Sequence, residues 1–492
     1  MATRAEDVPA VGLERRAVGL PTAIGTTFGL IVASTVLASV AAGFFASYVF
    51  LAALGIGLLA MYFQSLTFAE LATMIPKAGS MNEYVRAALG PFFATLTVLV
   101  GYIAVQLFPT TAEAFTPAAV IKNFLWKGGP STTLWVIIFV GFVAVVNAAG
   151  IRPYGVVEVF LTFAIAASLT VLGIIGLAGA GSHDPIGSAF PHIPFTWSLL
   201  STLLGVAIFT FVGMEYTCPL AEELENPGRD IPLGILLGLG LVAVPIFLYG
   251  LAAVRYVPSK TLSQFSPVAH MDVATAILGS AGKWWMGFIS IAATLSTLNA
   301  LLAGIPRILY GMGLTGQLPR FFSYLLPRTR APVVGIVVVA LMPILMNWRI
   351  DLATSTRFIE LILAGVLGWG TAYTLIHLSL LVLRRLEAGA RRPFRAPLTP
   401  IPQLVGAGLI ALAAFKIFPD PTVRNHIWRD YGIFLGIAVA LSFVYNAVVY
   451  RGVGAIFRRV PLAEVYRETA VMTEDVPPPV EPGAPHLRHD TT

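Results

Sequence analysis

Charge is the scarcest property of this 492-residue chain. Asp, Glu, Lys and Arg make up 11% of it, against about 25% in a soluble domain. Hydrophobic residues make up 57% and the mean hydropathy is +0.82, a composition that excludes a water-soluble globule and reads as a polytopic membrane protein. Cysteine is nearly absent: Cys218 stands alone, which excludes a disulfide within this chain and any cysteine-based zinc site. Motifs for chemistry are missing as well. GSAGKW (279–284) lacks the G-x-x-x-x-G-K-[ST] spacing that cradles phosphate, no H-E-x-x-H or G-x-S-x-G is present, and the seven histidines show no ligand spacing. ATP-driven work and most membrane hydrolases are excluded on that ground, and no enzyme activity, cofactor or metal is expected.

Long apolar runs are what the chain does contain. No charged residue occurs from Ala17 to Ala69, long enough for two spans with GFFAS (43–47) as the turn. On the same criterion we read an all-α protein of twelve spans, at 20–43, 48–72, 92–121, 133–150, 156–180, 199–221, 232–254, 284–310, 332–348, 359–383, 401–418 and 432–450. Placing the N-terminus in the cytoplasm puts 21 Lys and Arg on the inner side, counting Arg307 at the inner end of the eighth span, and 9 in outer segments. That bias predicts both termini cytoplasmic in an inner (plasma) membrane, and it accounts for the net charge of +6 without a nucleic-acid partner. MATRAEDVPAVGLERR predicts no cleaved leader. The Pro-rich end EDVPPPVEPGAPHLRHDTT is expected to lie outside the packed machine.

Polarity inside the apolar runs marks candidate sites. In the sixth span FTFVGMEYTCP (209–219) brings Gly213, Glu215 and Pro219 together, a combination that weakens a helix and sets a carboxylate at membrane depth. Either the helix is broken there and its free backbone groups line a protected cavity, or Gly213 packs closely and Glu215 sits at the cytoplasmic interface. In the first span GTTFGLIVASTVLASV (25–40) concentrates small and hydroxylated residues, which suit close packing or local unwinding. Spans one and six hold equivalent places in two possible five-helix halves, and matched interruptions of that kind point to a transport site.

Three further groups stand out. Tyr102, Gln106, Thr110 and Glu113 fall within about 80° on one face of a third-span helix, with Glu113 roughly 10 Å outward of Gln106. Glu113 could attract a cationic substrate, carry a proton or rest near headgroups. Glu158, one turn from Thr162 near the cytoplasmic end, is expected to snorkel to the interface, with a proton or gating role beside Glu113 and Glu215 as the alternative. In the eighth span Ser296, Thr297 and Asn299 offer groups for a cation, or hydroxyls that bond their own backbone. His377 reads as a packed or interfacial histidine.

Four stretches carry a resemblance. FTFVGMEYTCPLAEELENPGRDIP (209–232) resembles the sixth-helix signature of the amino acid–polyamine–organocation superfamily, bacterial amino acid permease type, with its E-x-x-N-P-x-R-x-I-P. AELATMIPKAGSMNEYVRAALGP (69–91), LLAGIPRILYGMGLTGQLPRFF (301–322) and RRPFRAPLTPIP (391–402) are similar to the loops after helices two and eight and before helix eleven. The resemblance implies a 5+5 inverted repeat, 20–180 against 199–383, with discontinuous helices one and six. It also implies two added helices within 401–450, a cytoplasmic segment 1–19 and a tail 451–492. It further implies alternating access around a small amino acid or amine, driven by protons or sodium or by exchange, in a monomer or homodimer. Val32, Ala33, Ser34 and Thr35 would line the substrate, with Phe209 as gating aromatic. Thr210, Phe211, Val212 and Gly213 would offer free backbone and Asn299 a side chain. Glu215 would tie the break to its neighbours and sense protons, and Ser296 and Thr297 resemble a sodium-binding hydroxyl pair. Val32-Ala33-Ser34 stands where many amino-acid carriers read Gly-Ser-Gly. The added side chains narrow backbone approach and favour amines without a carboxylate.

Overall fold

The computed structural model describes residues 12–188, 191, 193–350 and 355–470. The Pro-rich end and the first eleven residues lie outside them. The described residues form helices joined by turns and loops. Among the described residues the only β pairing is a single isolated bridge, Val18 with Leu224.

Thirteen helices carry the argument. They are α1 (Leu20–Ile31), α2 (Ser34–Gly43), α3 (Tyr48–Met74), α4 (Pro109–Val120), α5 (Thr132–Ala148), α6 (Ile151–Ala178), α7 (Trp197–Phe209), α8 (Pro227–Tyr256), α9 (Ala269–Leu314), α10 (Val333–Arg349), α11 (Ser355–Leu386), α12 (Ile401–Lys416) and α13 (Pro421–Val449). Among the described residues, eight uninterrupted or near-continuous helical runs are long and apolar enough to cross a bilayer. The pair α1–α2 joins them as a span bent by 53°, and α5, α10 and α12 are shorter apolar helices.

The core follows from composition. α1 is buried between α6, α8 and α9, so its faces carry small residues on every side. α6 turns Val156, Phe160 and Phe163 outward and α13 does the same with Val444 and Val448, the apolar surface that lipid tails cover.

Several spans depart from straight helices. The third run, Pro91–Leu125, contains π-turns at Leu99–Ile103 and Ile121–Leu125 and a break at Phe108, where φ −110° and ψ −82° precede Pro109. The single-helix geometry expected for Gln106 and Glu113 therefore does not hold. The two sit on separate segments, because proline cannot supply the bond that would join them. The eighth span is longer than 284–310. Its helix starts at Ala269 and is broken at Gly279 (φ 57°, ψ −135°). The turn at 43–47 is a 3₁₀ turn over Phe44–Ala46.

Candidate functional site

Two backbone breaks meet in the middle of the bundle. α1 ends at Val32 (φ −86°, ψ 62°) and α2 begins after extended Ala33 (φ −75°, ψ 154°). α7 ends at Phe209, and the chain resumes as a 3₁₀ turn, Met214–Leu220, after Gly213 at φ 115°. That φ lies in the left-handed region, and a Cβ on Gly213 would stand 1.8 Å from Leu30 Cδ2, so backbone conformation and close approach both demand glycine.

Between the breaks lies a cavity of about 30 Å³, room for a water molecule or two. Ala33 and Thr35 wall it from the first break, and Phe209 and Val212 from the sixth span. Thr110, Glu113, Thr297 and Trp369 complete its polar and aromatic lining. The Thr110 hydroxyl and the Trp369 indole nitrogen have no protein partner although both are buried; Gln106, on the segment before the Phe108 break, does not line the cavity, and both of its amide atoms are unpaired as well. Buried polar groups are normally satisfied. Unpaired ones around a cavity are the mark of a site that a ligand completes. The cavity is too small for an amino acid, so the site is closed in this conformation.

Glu113 serves the first break directly. Its carboxylate accepts the amides of Ser34 at 3.0 Å and Thr35 at 2.8 Å, the first orphan donors of α2. It also accepts the hydroxyls of Thr35, at 2.6 Å, and of Thr294. A helix N-terminus favours an anion, and here the protein supplies one from the third span.

Glu158 is buried, not snorkelled. It is 0% exposed and accepts Ser296 Oγ at 2.6 Å and Asn299 Nδ2 at 2.8 Å. Gly29 of α1 packs on this pair so closely that a Cβ there would sit 2.0 Å from both Glu158 Oε1 and Ser296 Oγ. The interfacial expectation failed because α6 does not end near Glu158. It runs from Ile151, with α1 and α9 packed over its first turns. Ser296 and Thr297, expected as a pair, diverge: Thr297 donates to the Gly29 carbonyl at 3.0 Å and faces the cavity, while Ser296 holds Glu158. Asn299 does not line the cavity; its side chain also bonds Asn147 at 2.9 Å.

Glu215 lies at depth as well, 0% exposed, and accepts Tyr373 of α11 at 2.7 Å. Tyr102 and Tyr216 stand beside it, with their ring centroids 5.7 Å apart. Val32 and Phe211 are wholly buried, Thr210 bonds back to Val206, and the Ser34 hydroxyl meets Ser290 at 2.5 Å. Sequence reasoning missed Thr294, Ser290, His270, Trp369 and Tyr373. His270 Nε2 lies 3.1 Å from Ser290 Oγ, extending the chain that starts at Ser34. None of these residues stands out from an apolar helix, and only the fold brings them to the breaks.

Buried ion pairs cluster on the side of α1's N-terminus. Arg307 is bound to Glu223, both 2% exposed, and Glu70 is shared by Arg384 and Arg392. Lys77 joins this side from a loop outside the spans, where burial holds its ammonium below the usual lysine range against the pull of Glu222 and Glu83.

"Cationic amino acid transporter 4, vacuolar" of Arabidopsis thaliana is 27% identical over 64% of this chain and 54% of its own length. "Uncharacterized transporter Mb2022c" of Mycobacterium bovis is 26% identical over 81% of this chain and 86% of its own. The chain thus spans about half the length of the plant relatives it matches. Among solved structures, an Eremococcus coleocola manganese transporter superposes with TM-score 0.58 at 14% identity, covering 92% of this chain and all of that one. MHP1, a nucleobase-cation-symport-1 family transporter in a closed conformation, does so with 0.54 at 18%, covering 94% and 98%. The model of the amino acid permease family matches residues 19–417, and the chain belongs to that family of membrane carriers, not of enzymes.

Proposed function

We propose that the protein is a secondary transporter importing a small amino acid or a related amine by alternating access, driven by protons. The observation that carries this reading is the meeting of two backbone breaks, at Val32–Ala33 and Phe209–Gly213, on one closed cavity whose buried polar lining is incomplete. Broken helices at membrane depth are tolerated where they line such a cavity. Twelve spans in a 5+5 arrangement, 20–180 and 199–383 with 401–450 added, fit the eight long helices, the bent pair and the three shorter ones. Cytoplasmic termini in the inner membrane fit the Lys and Arg bias. The membrane, the substrate and the coupling ion of the relatives are properties of those proteins; here they are part of the proposal.

A carboxylate-free amine is favoured over a standard amino acid by one observation. The amides at the start of α2, where an anionic group would dock, are already taken by Glu113. Trp369 and Phe209 on the cavity wall put two aromatic rings within reach of an ammonium there. Sodium coupling is less well supported, because Ser296 and Thr297 point to different partners.

The test is a thermal-shift screen of the purified protein with L-alanine, L-arginine, their decarboxylated amines and putrescine, at pH 5.5 and 7.5, with and without sodium. A ligand at 100 times its Kd stabilises the folded state by about 2.7 kcal/mol. Stabilisation by none of these compounds, together with no counterflow of any of them in proteoliposomes, would remove this reading.

A further inference from the structure

A second cavity, of about 460 Å³, opens on the surface and shares no lining residue with the first. Lys127, in the turn after the third helical run, and Asn123, in that run's last turn, wall one side of it. Asp272 and Thr275, in the first turns of α9, and Lys283, one turn past the Gly279 break, wall the other. Arg307 lies about 36 Å further along α9 than Lys283 at 1.5 Å per residue, more than the ~30 Å thickness of a bilayer's hydrocarbon. The cavity therefore sits at the membrane face opposite the Arg307–Glu223 pair.

Its rim has the make-up of a membrane interface, where tryptophan is enriched. Trp126 and Trp284 are both exposed there. Phe288, one turn toward the hydrocarbon from Trp284, is 63% exposed, with its ring centroid 6.3 Å from that of the indole. Lys283 Nζ stands 5.8 Å from the Trp284 ring centroid, which holds the ammonium at the rim.

Charges of both signs line this cavity without cancelling. No ion pair within 4.0 Å joins Asp272, Lys127 or Lys283 to one another or to any other described residue. The Thr275 hydroxyl is buried and has no partner. Two ammonium groups suit an oxyanion, and an ionised Asp272, which only accepts, suits an N–H or O–H carried by the same molecule. A free amino acid has both features but leaves the apolar rim uncovered. A phospholipid has both and covers the rim with its chains.

We propose that this cavity is a phospholipid headgroup site. The phosphate is met by Lys127 and Lys283, the terminal ammonium or hydroxyl of the headgroup donates to Asp272, and an acyl chain runs past Trp284 and Phe288. Phosphatidylethanolamine and phosphatidylglycerol carry such a donor, whereas the methylated ammonium of phosphatidylcholine has none. The bound lipid ties the turn at Lys127 to α9 on both sides of its Gly279 break. This assignment rests on the membrane-spanning fold and is independent of what the protein carries.

The experiment titrates the full chain, purified in detergent and stripped of lipid, with the three phospholipids at equal chain length, and counts bound lipid by native mass spectrometry. Phosphatidylglycerol or phosphatidylethanolamine is expected to fill one site at least fivefold more tightly than phosphatidylcholine. Lys127→Gln with Lys283→Gln weakens that binding tenfold or more, and Thr275→Val, which keeps the side-chain shape, weakens it at least twofold. Asp272→Asn cuts the preference over phosphatidylcholine to below twofold. Lys260→Gln, at an exposed lysine in the segment before α9, changes neither quantity. Equal wild-type affinity for the three lipids overturns the proposal, as does unchanged affinity in the double-lysine variant or in Thr275→Val. Displacement of the lipid by millimolar glycerophosphoethanolamine or L-alanine overturns the lipid assignment and gives the cavity to a soluble zwitterion.

Discussion

Thr35 gives Glu113 two hydrogen bonds at once, its amide at 2.8 Å and its hydroxyl at 2.6 Å, so a third-span carboxylate caps the second half of a broken first span. Glu113 and Glu158 therefore divide the work on that span. One holds α2 against α4 and α9, the other packs beside α1 against α6 and α9, and the break lies between them. An element held separately on either side of a hinge can release one side at a time, which alternating access requires.

Glu113→Gln is expected to damage the site without changing its shape. The amide NH₂ must face a backbone N–H or a hydroxyl that now donates to a carboxylate, leaving a buried donor unpaired at about 1–3 kcal/mol. Thermal stability should fall by that order and uptake by tenfold or more, measured on the same preparations in detergent and in vesicles. Unchanged uptake would show that the cap is dispensable.

Gly213→Ala should be among the most damaging single-methyl changes in the chain. The left-handed backbone costs an alanine about 1–2 kcal/mol, and the new Cβ would stand 1.8 Å from Leu30. Gly228→Ala is the control, since its nearest neighbour would be an ordinary 3.4 Å away. Ligand-dependent thermal shift should vanish in the first and persist in the second.

Arg307→Met strands Glu223 in a dry setting. Removing one partner of a buried pair costs about 3–5 kcal/mol, whereas removing both is often nearly neutral. Arg307→Met with Glu223→Leu should therefore recover much of the stability lost in the single variant, as read by thermal unfolding. A double variant no better than the single one would show that Arg307 acts chiefly through its other bond, to the Ala303 carbonyl at 2.7 Å.

Tyr373→Phe removes a hydroxyl donor to Glu215 and leaves the ring packed on Phe68, 5.5 Å between centroids. Loss of a hydrogen bond to a buried carboxyl costs about 1–3 kcal/mol. If Glu215 serves only to brace spans six and ten, stability falls and transport per folded molecule is retained. If it belongs to the gate, uptake falls at unchanged expression.

Much of this was legible beforehand because the bilayer makes it so. Apolar runs of fixed length and sparse charge are one-dimensional signals, and a chain in lipid has few ways to satisfy its backbone. The breaks were legible for a similar reason. Gly213 beside Glu215, and the small residues from Gly25 to Ser39, are local departures from what a continuous apolar helix needs. The third span was misjudged where a proline reset the helix: Phe108–Pro109 breaks the 100° rotation from which the Gln106–Glu113 spacing was reckoned.

What the sequence determined by itself is the class of molecule, the helices and the places where two of them must break, because hydropathy and backbone strain are properties of a residue and its neighbours in the chain. Only the tertiary structure decided what each buried polar group meets. It set Glu158 against Ser296, 138 positions away, and Glu113 against Ser34, 79 positions away. A buried carboxylate's fate inside the bundle depends on which donors from other helices reach it, and that is fixed by packing in three dimensions and leaves no periodic trace along the chain.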